Sequence, residues 1–113
     1  MKNACEGLPT DTPGVDTPGV DTPRHYDLIV DGRRTGFIEY SLYGRVAIVT
    51  HTEIDPRCEG RGYGSELARQ AAAFFRSEGW QVVPVCGFFA RYLRTHPEDA
   101  ALLTPASRRI FGI

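Results

Sequence analysis

Apolar and polar residues alternate along His25-Tyr-Asp-Leu-Ile-Val-Asp31, and Asp31-Gly32 follows as a turn signal. Gly36-Phe-Ile-Glu-Tyr-Ser-Leu42 repeats the pattern and closes on Tyr43-Gly44. Arg45 to Ile54 is a third run, longer and more apolar. The links between these runs are too short for a crossover, which predicts an antiparallel meander. The period then changes. Between Gly62 and Ser77, Tyr63, Leu67, Ala71 and Phe74 recur at spacings of three and four, with Ala68, Ala72 and Phe75 widening the stripe. Arg69 and Arg76 lie off that stripe, and Gly79 supplies a helix stop. Trp80 to Cys86 reads as a fourth strand, in which Pro84 marks an irregular or edge position. Phe88 to Thr95 reads as a short helix, and Pro97 starts another from Thr95 or His96.

A helix between the third and fourth strands favours pairing them in parallel. The predicted fold class is therefore α+β: a mostly antiparallel twisted sheet with one parallel β-α-β unit, and helices packed on the sheet. Residues Asp11 to Pro23 repeat Asp-Thr-Pro-Gly-Val twice and add Asp-Thr-Pro. One valine per repeat cannot build a core, so residues 1–23 are expected to be a disordered leader. Residues 24–113 are expected to form one folded domain.

Charge and cysteine usage narrow the function classes. A net charge of −1 argues against nucleic-acid or anionic-membrane partners. No apolar run reaches the roughly 20 residues of a membrane span. Cys5, Cys58 and Cys86 are odd in number and lack metal-type spacing, so neither a disulfide framework nor a metal site is expected, and a cytoplasmic setting fits best. Oligomeric state is left open.

The candidate chemistry centres on Ile54-Asp-Pro-Arg-Cys-Glu-Gly-Arg-Gly-Tyr-Gly-Ser-Glu-Leu67, between a strand and a helix. Gly60, Gly62 and Gly64 let the backbone turn tightly and approach a ligand, and the helix N-terminus behind them favours phosphate. The loop lacks the Gly-Lys-Ser/Thr ending of a nucleotide-triphosphate loop, and its glycine spacing differs from the dinucleotide fingerprint. A glycine-rich turn that only packs a helix on its sheet remains an alternative.

Arg61-Gly-Tyr-Gly-Ser-Glu-Leu67 resembles the acetyl-CoA pyrophosphate loop of the GNAT N-acetyltransferase superfamily. The wider string is similar to its minimal, single-domain YjdJ-type subfamily: Thr50-His-Thr-Glu-Ile54, the loop, Val82-Val-Pro-Val-Cys-Gly-Phe88, Tyr92 and His96-Pro-Glu98. Two positions depart from the pattern. Glu59 stands where Arg or Gln is common, so it is expected to point away, with Arg57 or Arg61 supplying charge. Gly87 stands where a proline often follows the cysteine.

The resemblance implies a GNAT-like fold whose third and fourth strands splay around the cofactor. It implies an acetyl-CoA-dependent N-acetyltransferase acting on a small-molecule or protein amine. Ile54 would hold the pantetheine arm, and Gly60, Arg61, Gly62, Tyr63, Gly64 and Ser65 the pyrophosphate. Cys86, His51, Glu53 and Tyr92 become catalytic candidates. Cys86 could accept the acetyl group, with His51 as base for it or for the amine. His51 and Glu53, two residues apart, share a strand face. Tyr92 resembles the general-acid tyrosine of many members. His25 and His96 read as structural. The competing function is a CoA- or acyl-CoA-binding module with little catalysis.

Overall fold

The computed structural model describes residues 22–113; the repeat segment expected to be a leader lies almost wholly outside the described residues. Strand β1 (Arg24–Val30) turns through Asp31 and Gly32, both at positive φ, into β2 (Arg33–Tyr43). Asp-Gly suits such a two-residue hairpin because it tolerates φ > 0 at both positions. Strand β3 (Val46–Ile54) returns antiparallel to β2. A 3₁₀ turn (Pro56–Cys58) leads to helix α1 (Tyr63–Ser77), and β4 (Gln81–Pro84) pairs in parallel with β3. Helix α2 (Gly87–Thr95), a 3₁₀ segment (Pro97–Leu102) and α3 (Pro105–Phe111) complete the chain. The sheet order is β1-β2-β3-β4. This is the expected α+β arrangement, with a mixed sheet. The segment at Pro97 is 3₁₀ rather than α, and α3, capped by Thr104 through the Ser107 amide at 3.1 Å, was not expected.

Helices α1 and α2 pack on one face. Leu28, Ile38, Tyr40, Ala47 and Val49 meet Leu67, Ala68, Ala71, Ala72 and Phe75 of α1 and Phe89 and Leu93 of α2. The Phe75 ring stands edge-on to Tyr40 at 5.1 Å and to Phe89 at 6.1 Å, a favoured aromatic geometry.

Two bulges set which side chains face the helices. Leu28 pairs with Gly36 and Ile29 with Arg34, so Thr35 is an extra residue in β2. Glu39 pairs with His51 and Tyr40 with Val49, so Thr50 is an extra residue in β3. An inserted residue reverses the alternation beyond it. Before Thr50, Ala47 and Val49 face the helices; after it, Thr52 does, because it pairs with fully buried Ile38. His51, paired with Glu39, and Glu53, paired with Phe37, therefore face the other side.

The parallel ladder is short. It ends at Val49↔Pro84, while β3 runs on to Ile54. Proline lacks the amide that would continue the ladder. The Val85 amide bonds back to the Val83 carbonyl at 3.1 Å, and the Cys86 amide makes the last link to β3, at 2.9 Å from the Val49 carbonyl. Beyond that link the two chains part, and α2 begins at Gly87.

Candidate active site

The end of β3, the glycine loop and the start of α2 enclose a cavity of about 260 Å³ lined by Thr52, Ile54, Cys58, Glu59, Gly60, Gly62, Tyr63, Gly64 and Phe88. Gly60 (φ 83°) and Gly62 (φ 77°) hold left-handed backbone conformations that other residues enter at a cost. Gly62 is the N-cap of α1 and brings no side chain to the first-turn amides. The first helical hydrogen bond runs from the Glu66 amide to the Gly62 carbonyl at 3.2 Å, so the amides of Tyr63, Gly64 and Ser65 project from the helix end. Gly64 serves a different need. A Cβ there would lie 2.9 Å from Phe88 Cζ, so its absence lets the α2 aromatic close against the loop.

Cys86 adjoins this cavity through Thr52, with its thiol 3.3 Å from Thr52 Oγ1 and its side chain packed against the core. Neither Thr52 nor Phe88 was singled out from the sequence; the switch at Thr50 and the missing Cβ at Gly64 bring them in. Of the expected loop residues, Ile54, Gly60, Gly62, Tyr63 and Gly64 line the cavity. Glu59 also contributes to the cavity wall. Arg61 lines a neighbouring cavity instead, and Ser65 a groove between α1 and α2. Arg57 is held by Asp55, its guanidinium 2.7 Å from the carboxylate, which keeps the Asp55 carboxyl down at about 2.

The four catalytic candidates do not form one cluster. His51 Nε2 lies 3.1 Å from Glu53 Oε1, and this half-exposed pair occupies the sheet face away from the helices. Cys86 meets Thr52 on the helix face. His51 is thus not placed to act as a base toward the Cys86 thiol. Tyr92 is buried, and its hydroxyl donates to Asp99 Oδ2 at 3.1 Å. It stacks on His96, with ring centroids 3.9 Å apart, in the α1–α2 groove rather than the loop cavity. Burial leads in raising the Tyr92 hydroxyl above its ordinary value.

Residues 25–102 match the model of the GCN5-related N-acetyl-transferase family, which covers more than half of the chain. The chain belongs to that family. Comparison with curated proteins gives no match. Membership brings acyl transfer as the general activity, with acetyl-CoA the family's typical donor. The residues present suit such a cofactor. A backbone cradle with projecting amides fits a pyrophosphate, and the part of β3 beyond the ladder exposes peptide groups that a pantetheine amide could pair with. Among the described residues no group of three metal-binding side chains occurs, and no helix is long and apolar enough to cross a membrane.

The second face carries its own network. Arg34, 1% exposed, lies 2.7 Å from Asp27 and over the Phe37 ring at 4.5 Å. It donates to His25 Nδ1 at 2.9 Å, which fixes that nitrogen as an acceptor and directs Nε2 toward Glu39, 3.8 Å away. Phe37 stacks at 4.3 Å from His25 and approaches His51 at 6.1 Å.

Proposed function

We propose that the chain is an acetyl-CoA-dependent N-acetyltransferase of the minimal, YjdJ-like kind, with cofactor and acceptor on opposite faces of β3. The observation that carries this reading is the alternation Thr52, Glu53, Ile54 beyond the parallel ladder. Thr52 and Ile54 line the loop cavity, while Glu53 and its partner His51 face the other side. The pantetheine arm would lie along the free part of β3, with Ile54 beside it and the pyrophosphate on the amides after Gly62. The thioester then reaches the gap where β3 and β4 part, between Thr52 and Cys86.

An amine must be neutral to attack the thioester carbonyl. Arriving from the second face, it meets the imidazole of His51, steadied by Glu53. The imidazole takes the proton as nitrogen bonds to the acetyl carbon. The carbon–sulfur bond then breaks, and the thiolate leaves into the gap, where the Thr52 and Cys86 groups can donate hydrogen bonds to it. Transfer is direct in this arrangement. An acetyl-cysteine route would need a base at Cys86, and the polar side chain it contacts, the Thr52 hydroxyl, is too weak to act as one.

The test is acceptor-dependent CoA release across a panel of primary amines. Turnover above the acceptor-free rate supports the enzyme; tight CoA binding with no turnover on any amine favours a binding module.

A further inference from the structure

Beside the loop cavity, on the other side of Cys58, lies a cavity of about 220 Å³ lined by Arg33, Arg34, Thr35, Asp55, Arg57, Cys58 and Arg61. Four of its seven residues are arginines, against one carboxylate. Asp55 holds Arg57 at 2.7 Å, and Asp27 holds buried Arg34 at 2.7 Å. Among the described residues, Arg33 and Arg61 enter no ion pair, so the cavity keeps an excess of two cations. The larger α1–α2 groove, about 420 Å³, offers a contrast. Its Arg69 is tied to Glu66 and its Arg76 to Asp99, and Glu98 tips it negative. An anion arriving at this end of the molecule is therefore drawn to the first cavity, where uncommitted guanidinium forks suit a carboxylate or phosphate.

The local structure is built to hold that charge. Arg33 and Arg34 open β2 just before the bulge at Thr35, and the Asp55 amide bonds to the Thr35 carbonyl at 2.8 Å. This ties the 3₁₀ turn bearing Arg57 and Cys58 to the β2 bulge. The Asp55 carboxylate both caps that turn through the Arg57 amide at 3.0 Å and orients the Arg57 head.

We propose that this arginine cavity receives the anionic group of the acceptor, so that the substrate is an amine bearing a carboxylate or phosphate. The inference rests on the acceptor site proposed above at His51 and Glu53. Asp55 follows Glu53 by two residues, about 7 Å of extended chain at ~3.3 Å per residue. Arg34 and Glu53 also flank the same Phe37 ring, one over it and one paired across the strands. A small amine with its anionic group several bonds away spans that distance. The cofactor's own phosphates carry the same chemistry, so the test separates the two sources.

The full chain, labelled with nitrogen-15, is titrated with inorganic phosphate, with and without saturating CoA, as wild type and as Arg33→Glu. Phosphate is expected to shift the amides of Arg33, Thr35, Arg57 and Cys58 even with CoA bound, and Arg33→Glu to weaken this at least tenfold. Arg33 is an exposed strand-end residue, so the variant's amide spectrum is expected to stay folded elsewhere. With CoA present, 4-aminobutyrate should move the same amides at a tenfold lower concentration than 4-aminobutyramide, a difference Arg33→Glu erases. Unmoved pocket amides, displacement of phosphate by CoA, or equal behaviour of the two amines would each overturn the inference. CoA that leaves the Gly60 and Gly62 amides unmoved would instead count against the cofactor reading, while the phosphate and amine titrations still decide the cavity.

Discussion

The Thr52 hydroxyl lies 3.3 Å from the Cys86 thiol, joining the free end of β3 to the residue that precedes α2. This contact spans the point where the parallel ladder has ended, and it sets Cys86 behind Thr52, which lines the loop cavity. Incubating wild type with acetyl-CoA should give no species heavier by an acetyl group of about 42 Da. Cys86→Ala should keep acetyl-CoA affinity and lose less than about tenfold in kcat. An acetyl adduct in intact-mass spectra that disappears in Cys86→Ala would establish the two-step route.

Gly62→Asp tests the loop. It puts a side chain into a left-handed position and a negative charge at the helix N-terminus, where the pyrophosphate is expected. CoA affinity measured by calorimetry should fall by tenfold or more, with about 1 kcal/mol lost in stability from the left-handed backbone. Unchanged affinity would remove the loop from the cofactor site.

Replacing Glu53 by Gln, or His51 by Ala, should lower kcat by roughly a hundredfold, the usual scale for losing a positioned acid–base group. Acetyl-CoA binding should not change, since both side chains face away from the loop cavity. As an exposed pair they should shift stability by no more than about 0.5 kcal/mol. Wild-type kcat in both variants would place the proton acceptor elsewhere.

Tyr92→Phe separates a structural tyrosine from a general acid. Its hydroxyl bonds to buried Asp99, so its loss should cost about 1 kcal/mol in denaturant unfolding. The kcat should stay within a few-fold of wild type. A hundredfold loss of kcat at unchanged KM would return Tyr92 to the chemistry.

His25 predicts a pH effect. Burial, then the neighbouring Arg34 charge, lowers its imidazole below the ordinary 6.5. The fold therefore favours the neutral form. That contribution is complete above the unfolded value of 6.5 and is lost as pH falls through the depressed folded value. Melting temperatures measured from pH 8 to pH 5 should drop more steeply for wild type than for His25→Gln. Parallel curves would show that His25 does not couple to folding.

Element types and pairing were legible because they rest on periodicity and link length. The meander, the parallel β3–β4 pairing and α1 all follow from spacing that tertiary packing did not override. The faces of β3 were less legible. Thr50-His-Thr-Glu is polar throughout, so no apolar position records where the alternation reverses, and the bulge emerges only from pairing with β2. His51 and Glu53 share a strand face, as their two-residue spacing implies, whereas Cys86 stands across the sheet from them. Tyr92 matched a family pattern by position, but its partner Asp99 comes from a 3₁₀ segment whose fold the sequence did not reveal. Phe88 carries no mark in the sequence, because its place against the loop depends on the Cβ that Gly64 lacks.

The bulge at Thr50 makes β3 a partition, with consecutive residues belonging to different rooms. Thr52 and Ile54 belong to one, His51 and Glu53 to the other, and the peptide backbone is the only wall between them. Deleting that one residue would swap the tenants, turning His51 and Glu53 toward the helices and Thr52 outward. So small a domain needs no second layer to keep two sets of side chains apart, because a one-residue phase shift does the separating.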